Sequence, residues 1–543
     1  MNFRLLSKLL GLIAVLVGGT MVFSLPWALP ALGGQWEHER AGFWGLLGAM
    51  AICFVLGGVL RFLGRGAEVR LFRKEAMAVV GLSWLLATLL GALPYLLSGT
   101  MRGPEMAMSP IDAMFEAQSG FSTTGATVLT ELEDPALVPR TILFWRSTTH
   151  LLGGLGIIVL FVAILGQGSA GKALMFAEMP GPSHSSQQAR IQQTAWTLAL
   201  IYAALNAVLT LLLLLEGLSL FDSLCHAFGT MATGGFSTYN ASVGHFRYVP
   251  ELNAPLIEMT ITAFMVLAGT NFTLIYFLVL RRPERVWADT EWRVYIMLLI
   301  VVTIAIVGVG LVSNDFAGPN GMTWAARETS PPTDTPPDPL DQRVGEASRF
   351  GLFQVVSIMT TTGFCTDNFD RWNSFARGVL LMLMFIGGCA GSTGGGLKVI
   401  RHILFVKILR LEVEQAFHPS VVRTLRVGGE AVGEPDLRRQ ILVYFGLIGL
   451  IFAASWLFTI TLEPDSTWTD HGHAAEHKLI DGASAVAATL NNIGPGLGVV
   501  GATKNYTNFA WYTKLLFIWL MMLGRLELFV ILVLFVPRFW RNQ

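Results

Sequence analysis

The sequence predicts an all-α polytopic membrane protein: two extra transmembrane helices, then four tandem helix/pore-loop/helix repeats in a pseudo-fourfold arrangement. Three observations lead there. The composition is that of a membrane chain, ten apolar runs reach spanning length, and four half-length apolar segments recur at nearly constant spacing. Of 543 residues the hydrophobic class makes up 53% and charged residues 14%, where about 25% charged is usual for soluble chains. That balance leaves more apolar surface than water tolerates and excludes disorder, collagen, coiled coil and nucleic-acid binding. Cys53, Cys225, Cys365 and Cys389 lie in apolar stretches without a CxxC pair, so they read as small core residues, not as a disulfide framework or zinc knuckle.

A hydrocarbon core about 30 Å thick takes about 20 apolar residues in a helix. Runs of that order occur near 9–30, 42–63, 76–98, 140–166, 194–217, 256–280, 294–313, 378–409 (interrupted), 440–462 and 512–537. The first has the basic start of a signal peptide but runs on to about Pro30 without an A-x-A site, so it reads as a retained helix. The segments between runs that would face one side carry 23 Lys/Arg and 11 Asp/Glu, and the opposite side carries 12 and 25. The basic side is expected to be cytoplasmic, which puts both termini in the cytoplasm and leaves the outer face acidic.

The four outer connections are not ordinary loops. Each holds an apolar segment too short to span, followed by a Thr/Gly-rich stretch: SPIDAMFEAQSGFSTTGATV from Ser109, LFDSLCHAFGTMATGGFST from Leu220, RFGLFQVVSIMTTTGFCTDN from Arg349 and LIDGASAVAATLNNIGPGLG from Leu479. Such segments read as re-entrant helices. Aligned on Gly125, Gly234, Gly363 and Gly494 they repeat at spacings of 109, 129 and 131. An acid precedes the glycine by 13 residues (Asp112), 12 (Asp222) and 13 (Asp481), and the third copy has none there. The chain then divides into leading helices at 1–70 and repeats at 71–185, 186–285, 286–425 and 426–543. The third repeat carries a Pro/Asp/Thr-rich insert at about 314–348, expected to be a flexible outer loop.

Each Thr/Gly stretch ends a short helix at membrane depth, where backbone leaves the helix only if it is buried in protein or lines water. Four of them around one axis make a ring of carbonyl oxygens that replaces the hydration shell of a monovalent cation. Glycine tolerates the φ values that turn a carbonyl toward the axis. No carboxylate lies within the four motifs, whereas a divalent ion calls for hard anionic oxygens. The helix dipoles add negative ends aimed at the cavity beneath. Further along, residues 387–396 hold six glycines and a Ser-Thr pair. At about 1 kcal/mol per interior glycine that stretch cannot sustain a spanning helix. Arg525 at mid-span costs at least about 2.5–3.5 kcal/mol on insertion scales and calls for carbonyl or acidic partners. Glu527, two residues on, points elsewhere.

At these residues the sequence resembles the Trk/Ktr/HKT superfamily of potassium uptake proteins, in its bacterial TrkH-like branch. The resemblance covers the whole chain and rests on GFSTTGAT at 120–127, ATGGFST at 232–238, TTTGFCTDN at 360–368, NNIGPGLG at 491–498 and, most specific of all, GGCAGSTGGGLKVIR at 387–401. It implies a potassium filter made mainly of backbone carbonyls from Thr123, Thr124 and Gly125; Ala232, Thr233 and Gly234; Thr361, Thr362 and Gly363; and Asn492, Ile493 and Gly494. The fourth set departs from Thr-Thr-Gly. The resemblance also implies an intramembrane gating loop with Gly387, Gly388, Gly391, Gly394, Gly395 and Gly396, faced by Arg525 from the last helix. It implies K⁺ as the transported ion with no organic cofactor, a homodimer in the lipid bilayer, and a cytoplasmic nucleotide-binding ring of TrkA type as partner. The basic inner segment 398–439 is long enough to dock such a ring. An inside-negative potential supplies about 2.3 kcal/mol per charge per 100 mV for uptake.

Blander readings stand beside these. Gly and Thr are common at helix contacts in membranes, so a single TTG could be packing, and 387–396 could be a tight helix crossing. Arg146, near the start of its span, reads as an interfacial residue reaching toward headgroups. GLGVVG at 496–501 fits a dinucleotide-binding fingerprint by letter, with no strand before it and no acid after it. HAAEH at 473–477, with His471, fits an inverted zinc-protease pattern and would be the site of a membrane metalloenzyme. The other rival is a Na⁺- or H⁺-coupled secondary transporter, which would show broken helices in inverted or parallel repeats.

Overall fold

The computed structural model describes residues 1–67, 72–156, 191–313, 315, 340–418, 426–427, 430–431, 435–469, 474–526 and 528–541. Among the described residues six helices are long and apolar enough to cross a membrane, within α1 (Phe3–Thr20, continued by a 3-10 turn to Ala28), α2 (Trp36–Leu63), α3 (Arg73–Leu97), α6 (Ile191–Leu215), α11 (Thr290–Ser313) and α15 (Pro435–Leu462). These are the two leading helices and the first helix of each repeat. The leading pair packs through glycines seven residues apart on each helix. A Cβ on Gly11 would lie 2.7 Å from the Gly57 carbonyl, and one on Gly64 2.6 Å from Lys8 Cβ. Small residues of this kind let helix backbones approach where lipid offers no hydrophobic drive.

Four helices lead into the Thr/Gly stretches: α4 (Pro110–Phe121), α7 (Leu220–Met231), α12 (Leu340–Met359) and α16 (Lys478–Leu490). The side chain of Ser109 caps α4 and that of Ser219 caps α7, each accepting from the amide of the Asp three residues on, so Asp112 and Asp222 sit in the first turn where the dipole favours an acid. The re-entrant helix of the third repeat starts at Leu340, so the last nine residues of the expected insert are helical; residue 314 and 316–339 lie outside the described residues.

Among the described residues the second helices of the second, third and fourth repeats break. The sequence marks this only for 378–409, where α13 (Ser374–Leu383) and α14 (Val399–Phe417) flank the glycine-rich stretch. The run at 256–280 is two helices, α8 (Ala254–Ala268) and α9 (Phe272–Val279), bent by 106° and followed by the short α10 (Pro283–Ala288). The run at 512–537 stops after α17 (Trp511–Arg525), where Leu526 is extended, and resumes as a short α18 (Leu528–Leu532). In the first repeat α5 (Arg140–Leu155) ends at Gly156 with φ +75°; residues 157–166 of that expected span lie outside the described residues. Propensity foresees the break in 378–409 but not those after Ala268 and Arg525, where the apolar runs are continuous and the carbonyls released find tertiary partners.

Candidate functional site

Each re-entrant helix ends in the same hydrogen-bonded turn. The amides of Thr123, Thr233, Thr361 and Asn492 donate to the carbonyls three residues back, and those of Thr124, Gly234, Thr362 and Ile493 to the carbonyls five residues back, at 2.8–2.9 Å for the second set. This is a Schellman cap, whose left-handed position usually belongs to glycine. Here it is held by Thr123 (φ +53°), Thr233 (+54°), Thr361 (+61°) and Asn492 (+55°). A β-branched residue at positive φ is strained by about 1–3 kcal/mol, and strain of this kind concentrates at functional sites. Two positions later stand Gly125 (+80°), Gly235 (+76°), Gly363 (+80°) and Gly494 (+96°).

The second repeat is therefore displaced by one residue from the alignment on Gly234. Its set is Thr233, Gly234 and Gly235, and Ala232 is the residue that closes α7, equivalent to Ser122, Thr360 and Asn491. The two adjacent glycines made both registers plausible. In the corrected register Asp222 also precedes its glycine by 13 residues, like Asp112 and Asp481. Gly234 is small for a separate reason: the His150 ring, stacked on Phe236 at 4.1 Å, lies where its Cβ would go.

The four turns close on one another in chain order. A Cβ on Gly125 would strike the Gly234 carbonyl oxygen, one on Gly235 the Thr362 oxygen, one on Gly363 the Ile493 oxygen, and one on Gly494 the Thr124 oxygen. The cycle returns to its start, so four carbonyls and four glycines form one ring with a contribution from each repeat. All four glycines also line a single pocket.

One carboxylate braces each junction between repeats, buried in every case but Asp370, which is half-buried. Between the first and second, Glu116 accepts from Arg146 at 2.6 Å, and Arg146 donates to the Ser237 carbonyl at 2.9 Å with its guanidinium 3.4 Å from the Phe236 ring centre. Arg146 is 2% exposed, so the interfacial reading is corrected: an acid on the facing helix, eleven residues before Thr127, neutralises it inside the protein. Glu258 joins the second repeat to the third through Arg349 at 2.5 Å, Asp370 joins the third to the fourth through the Gly498 amide at 2.9 Å, and Asp112 joins the first to the fourth through Lys514 at 2.6 Å. Removing one member of a buried pair leaves the other charged and unpaired, at a cost of about 3–5 kcal/mol. Glu116→Ala is accordingly expected to lower the thermal unfolding midpoint of detergent-purified protein far more than Glu116→Ala combined with Arg146→Leu. An equal loss in both would show that the pair does not act as a unit.

Beneath the ring, residues 387–396 form a compact loop that meets the second, third and fourth repeats directly and the first through Arg525. The Gly395 amide donates to Thr361 Oγ1 at 2.8 Å in the third repeat, and a Cβ on Gly396 would lie 3.0 Å from the Asn491 carbonyl in the fourth. The Cys389 amide donates to the Gly269 carbonyl at 2.8 Å, Thr393 Oγ1 to the Ala268 carbonyl at 3.1 Å, and the Gly396 amide to the Gly524 carbonyl at 3.2 Å. Arg525 forks between Thr393 O at 2.5 Å and Gly153 O at 2.6 Å, with Gly154 O at 3.3 Å. Carbonyls at the ends of α5 (Gly153, Gly154), α8 (Ala268, Gly269) and α17 (Gly524) thus bind this loop or Arg525. Lys398, which the sequence reading passed over, also lies here, donating to the Gly394 carbonyl. A Cβ on Gly387 would lie 2.8 Å from the Gly395 carbonyl oxygen and one on Gly388 2.8 Å from that of Gly269, and Gly391 (φ +72°) lies beside Asn271.

The two motifs of enzymes find no such support. GLGVVG forms a 3-10 turn over Gly498–Val500 that packs on Asp370, with no strand before it. His477 is exposed, while His471 and His473 lie outside the described residues. Among the described residues no group of three His, Cys, Asp or Glu side chains could hold a metal. All four cysteines are buried thiols.

A multi-pass helical membrane protein with a carbonyl ring above an interrupted helix belongs to the class of cation transport proteins. Residues 46–542 match the family model of TrkH, "Cation transport protein". The chain is 36% identical to the Trk system potassium uptake protein TrkH of Salmonella typhimurium over 545 residues and 36% identical to that of Escherichia coli over 549, with 100% of both chains covered in each case. The crystal structure of the potassium transporter TrkH from Vibrio parahaemolyticus superposes with a TM-score of 0.78 at 32% identity, covering 100% of both chains. The chain belongs to the TrkH family, and it is a transport protein and not an enzyme.

Proposed function

We propose that this chain takes up K⁺ across the bacterial inner membrane through the ring of carbonyls and that the loop 387–396 gates it from below. The observation that carries the reading is the closed cycle in which Gly125, Gly235, Gly363 and Gly494 each face a carbonyl of the next repeat. Such a cycle holds oxygens at fixed separation around one axis, which suits a monovalent cation stripped of water. The filter residues are Thr123, Thr124 and Gly125; Thr233, Gly234 and Gly235; Thr361, Thr362 and Gly363; and Asn492, Ile493 and Gly494. The gate comprises Gly387 to Gly396 with Arg525. The excess of Lys/Arg on one side supports cytoplasmic termini. The names of the relatives, which belong to a Trk system, support a cytoplasmic nucleotide-binding ring of TrkA type as partner, acting on a homodimer with one pathway per subunit.

Flux into liposomes loaded in turn with K⁺, Rb⁺, Na⁺ and Li⁺ tests this. K⁺ and Rb⁺ are expected to pass at similar rates and Na⁺ and Li⁺ about tenfold or more slowly, a difference of about 1.4 kcal/mol. Equal rates for all four ions would defeat a size-matched carbonyl filter. A requirement for an imposed Na⁺ or H⁺ gradient would favour coupled transport.

A further inference from the structure

Two consecutive carbonyls of the loop each hold a cation. Thr393 O takes the Arg525 guanidinium from α17, and Gly394 O takes the ammonium of Lys398 from the loop's own end. Lys398 is 0% exposed, and its Nζ also lies 3.4 Å from Ser392 Oγ. Gly394 packs directly under the third repeat's turn: a Cβ there would be 3.0 Å from the Thr360 carbonyl, 3.2 Å from Thr361 Oγ1 and 3.6 Å from Lys398 Nζ. The ammonium and the Thr360 carbonyl thus both border Gly394, just below the third repeat's turn. Among the described residues no carboxylate oxygen comes within ion-pair distance of it. The nearby Glu291 is engaged by the Ala390 and Ile400 amides, at 2.8 and 2.9 Å. A buried ammonium held by a carbonyl and a hydroxyl has the coordination that a permeating cation would have at that place.

We propose that Lys398 is a second charge of the closed gate: a tethered ammonium that stands in for the permeating cation beneath the filter and leaves with α14 when the loop opens. Lys398 is the residue that precedes α14, so any axial shift of that helix carries the ammonium with it. The helix is built to be moved from inside. It packs on α15 through Leu404, Ile408 and Ile441, with the Arg401 guanidinium 3.9 Å from the Tyr444 ring centre, and runs out into the basic inner segment. The proposal rests on reading 387–396 as a gate.

The test is K⁺ flux from liposomes holding equal amounts of monodisperse full-length protein, without a cytoplasmic partner. Native protein is compared with Lys398→Met, Lys398→Arg and a protein lacking part of 387–396. A fixed charge in a narrow low-dielectric path changes occupancy steeply, so Lys398→Met is expected to raise flux about tenfold while Lys398→Arg stays within about twofold of native. Equal increases in both would make the lysine mere glue for the loop and overturn the proposal. Unchanged flux in Lys398→Met, with raised flux in the loop-shortened protein, would overturn it while leaving the gate reading intact. Unchanged flux in the loop-shortened protein would remove the gate reading itself. Lys398→Cys gives a reading that does not depend on Met folding. An aminoethyl thiosulfonate reagent, which restores a positive charge, is expected to return flux toward native, and an uncharged methyl reagent is not. The same response to both would refute a role for charge.

Discussion

Gly363→Ser is expected to lower the K⁺ over Na⁺ flux ratio about tenfold or to abolish K⁺ flux, and Gly235→Ser to do the same. Gly363 has φ +80°, where a side chain is strained by about 1–3 kcal/mol. Its Cβ would also strike the Ile493 carbonyl oxygen and approach Pro495 Cδ to 2.9 Å. Both are backbone or ring atoms that cannot rotate away, so the fourth repeat's oxygen must move. A shift of one oxygen alters every ion that passes, because the same ring must fit K⁺ and exclude Na⁺. Gly235 meets the Thr362 oxygen in the same way. Ala232→Ser provides the contrast. Its position is occupied by Ser122 in the first repeat, so a serine there is expected to leave the ion ratio within about twofold of native, under about 0.5 kcal/mol. A large effect at Ala232 with none at Gly235 would restore the register on Gly234. Unchanged ion ratios in Gly363→Ser protein would remove Gly363 from the filter.

The placement of the ring residues was largely legible because the Thr/Gly stretches repeat four times and because backbone groups at membrane depth leave few alternatives. The register of the second repeat was legible too, but only through Asp222. Spacing from the acid selects Gly235, and ATGG read alone does not. The bends after Ala268 and Arg525 were not legible. Each lies in a run whose composition favours a helix, and the carbonyls they free are satisfied by Cys389, Thr393 and Gly396, more than a hundred residues away in sequence. Arg146 was misread for the same reason. Its partner Glu116 lies 30 residues earlier, and a charged residue in an apolar run looks interfacial until the acid facing it is known. Lys398 sits at the end of a glycine run and directly before a helix, so sequence assigns it to the inner surface; only the fold turns it back beneath Gly394.

Arg525→Ala is expected to raise K⁺ flux in the absence of any cytoplasmic partner, more than any single substitution outside the loop. The arginine connects two things that must separate for ions to pass. One arm holds Thr393 in the loop and the other holds Gly153 and Gly154 at the broken end of α5, so the first repeat reaches the loop chiefly through this side chain. Hydrogen bonds from a charged donor are worth about 1.5–3 kcal/mol each net, so alanine loosens the closed loop appreciably. Alanine also removes a fixed charge. At an effective dielectric constant near 20, a unit charge about 7 Å from a K⁺ ion opposes it by about 2–3 kcal/mol, or roughly 30- to 150-fold in rate. Lysine keeps the charge but has a single ammonium that cannot fork to carbonyls on both sides. Flux is therefore expected to be greatest for Arg525→Ala, with Arg525→Lys much nearer native. A tether without an electrostatic role would give Lys and Ala the same increase, because both lose the fork. A purely structural arginine would give neither, since the carbonyls of Gly153 and Thr393 left unpaired in the membrane would lower the yield of folded protein instead. Comparable flux from native, Lys and Ala proteins, at equal amounts of folded protein in liposomes, would leave Arg525 with no part in the gate.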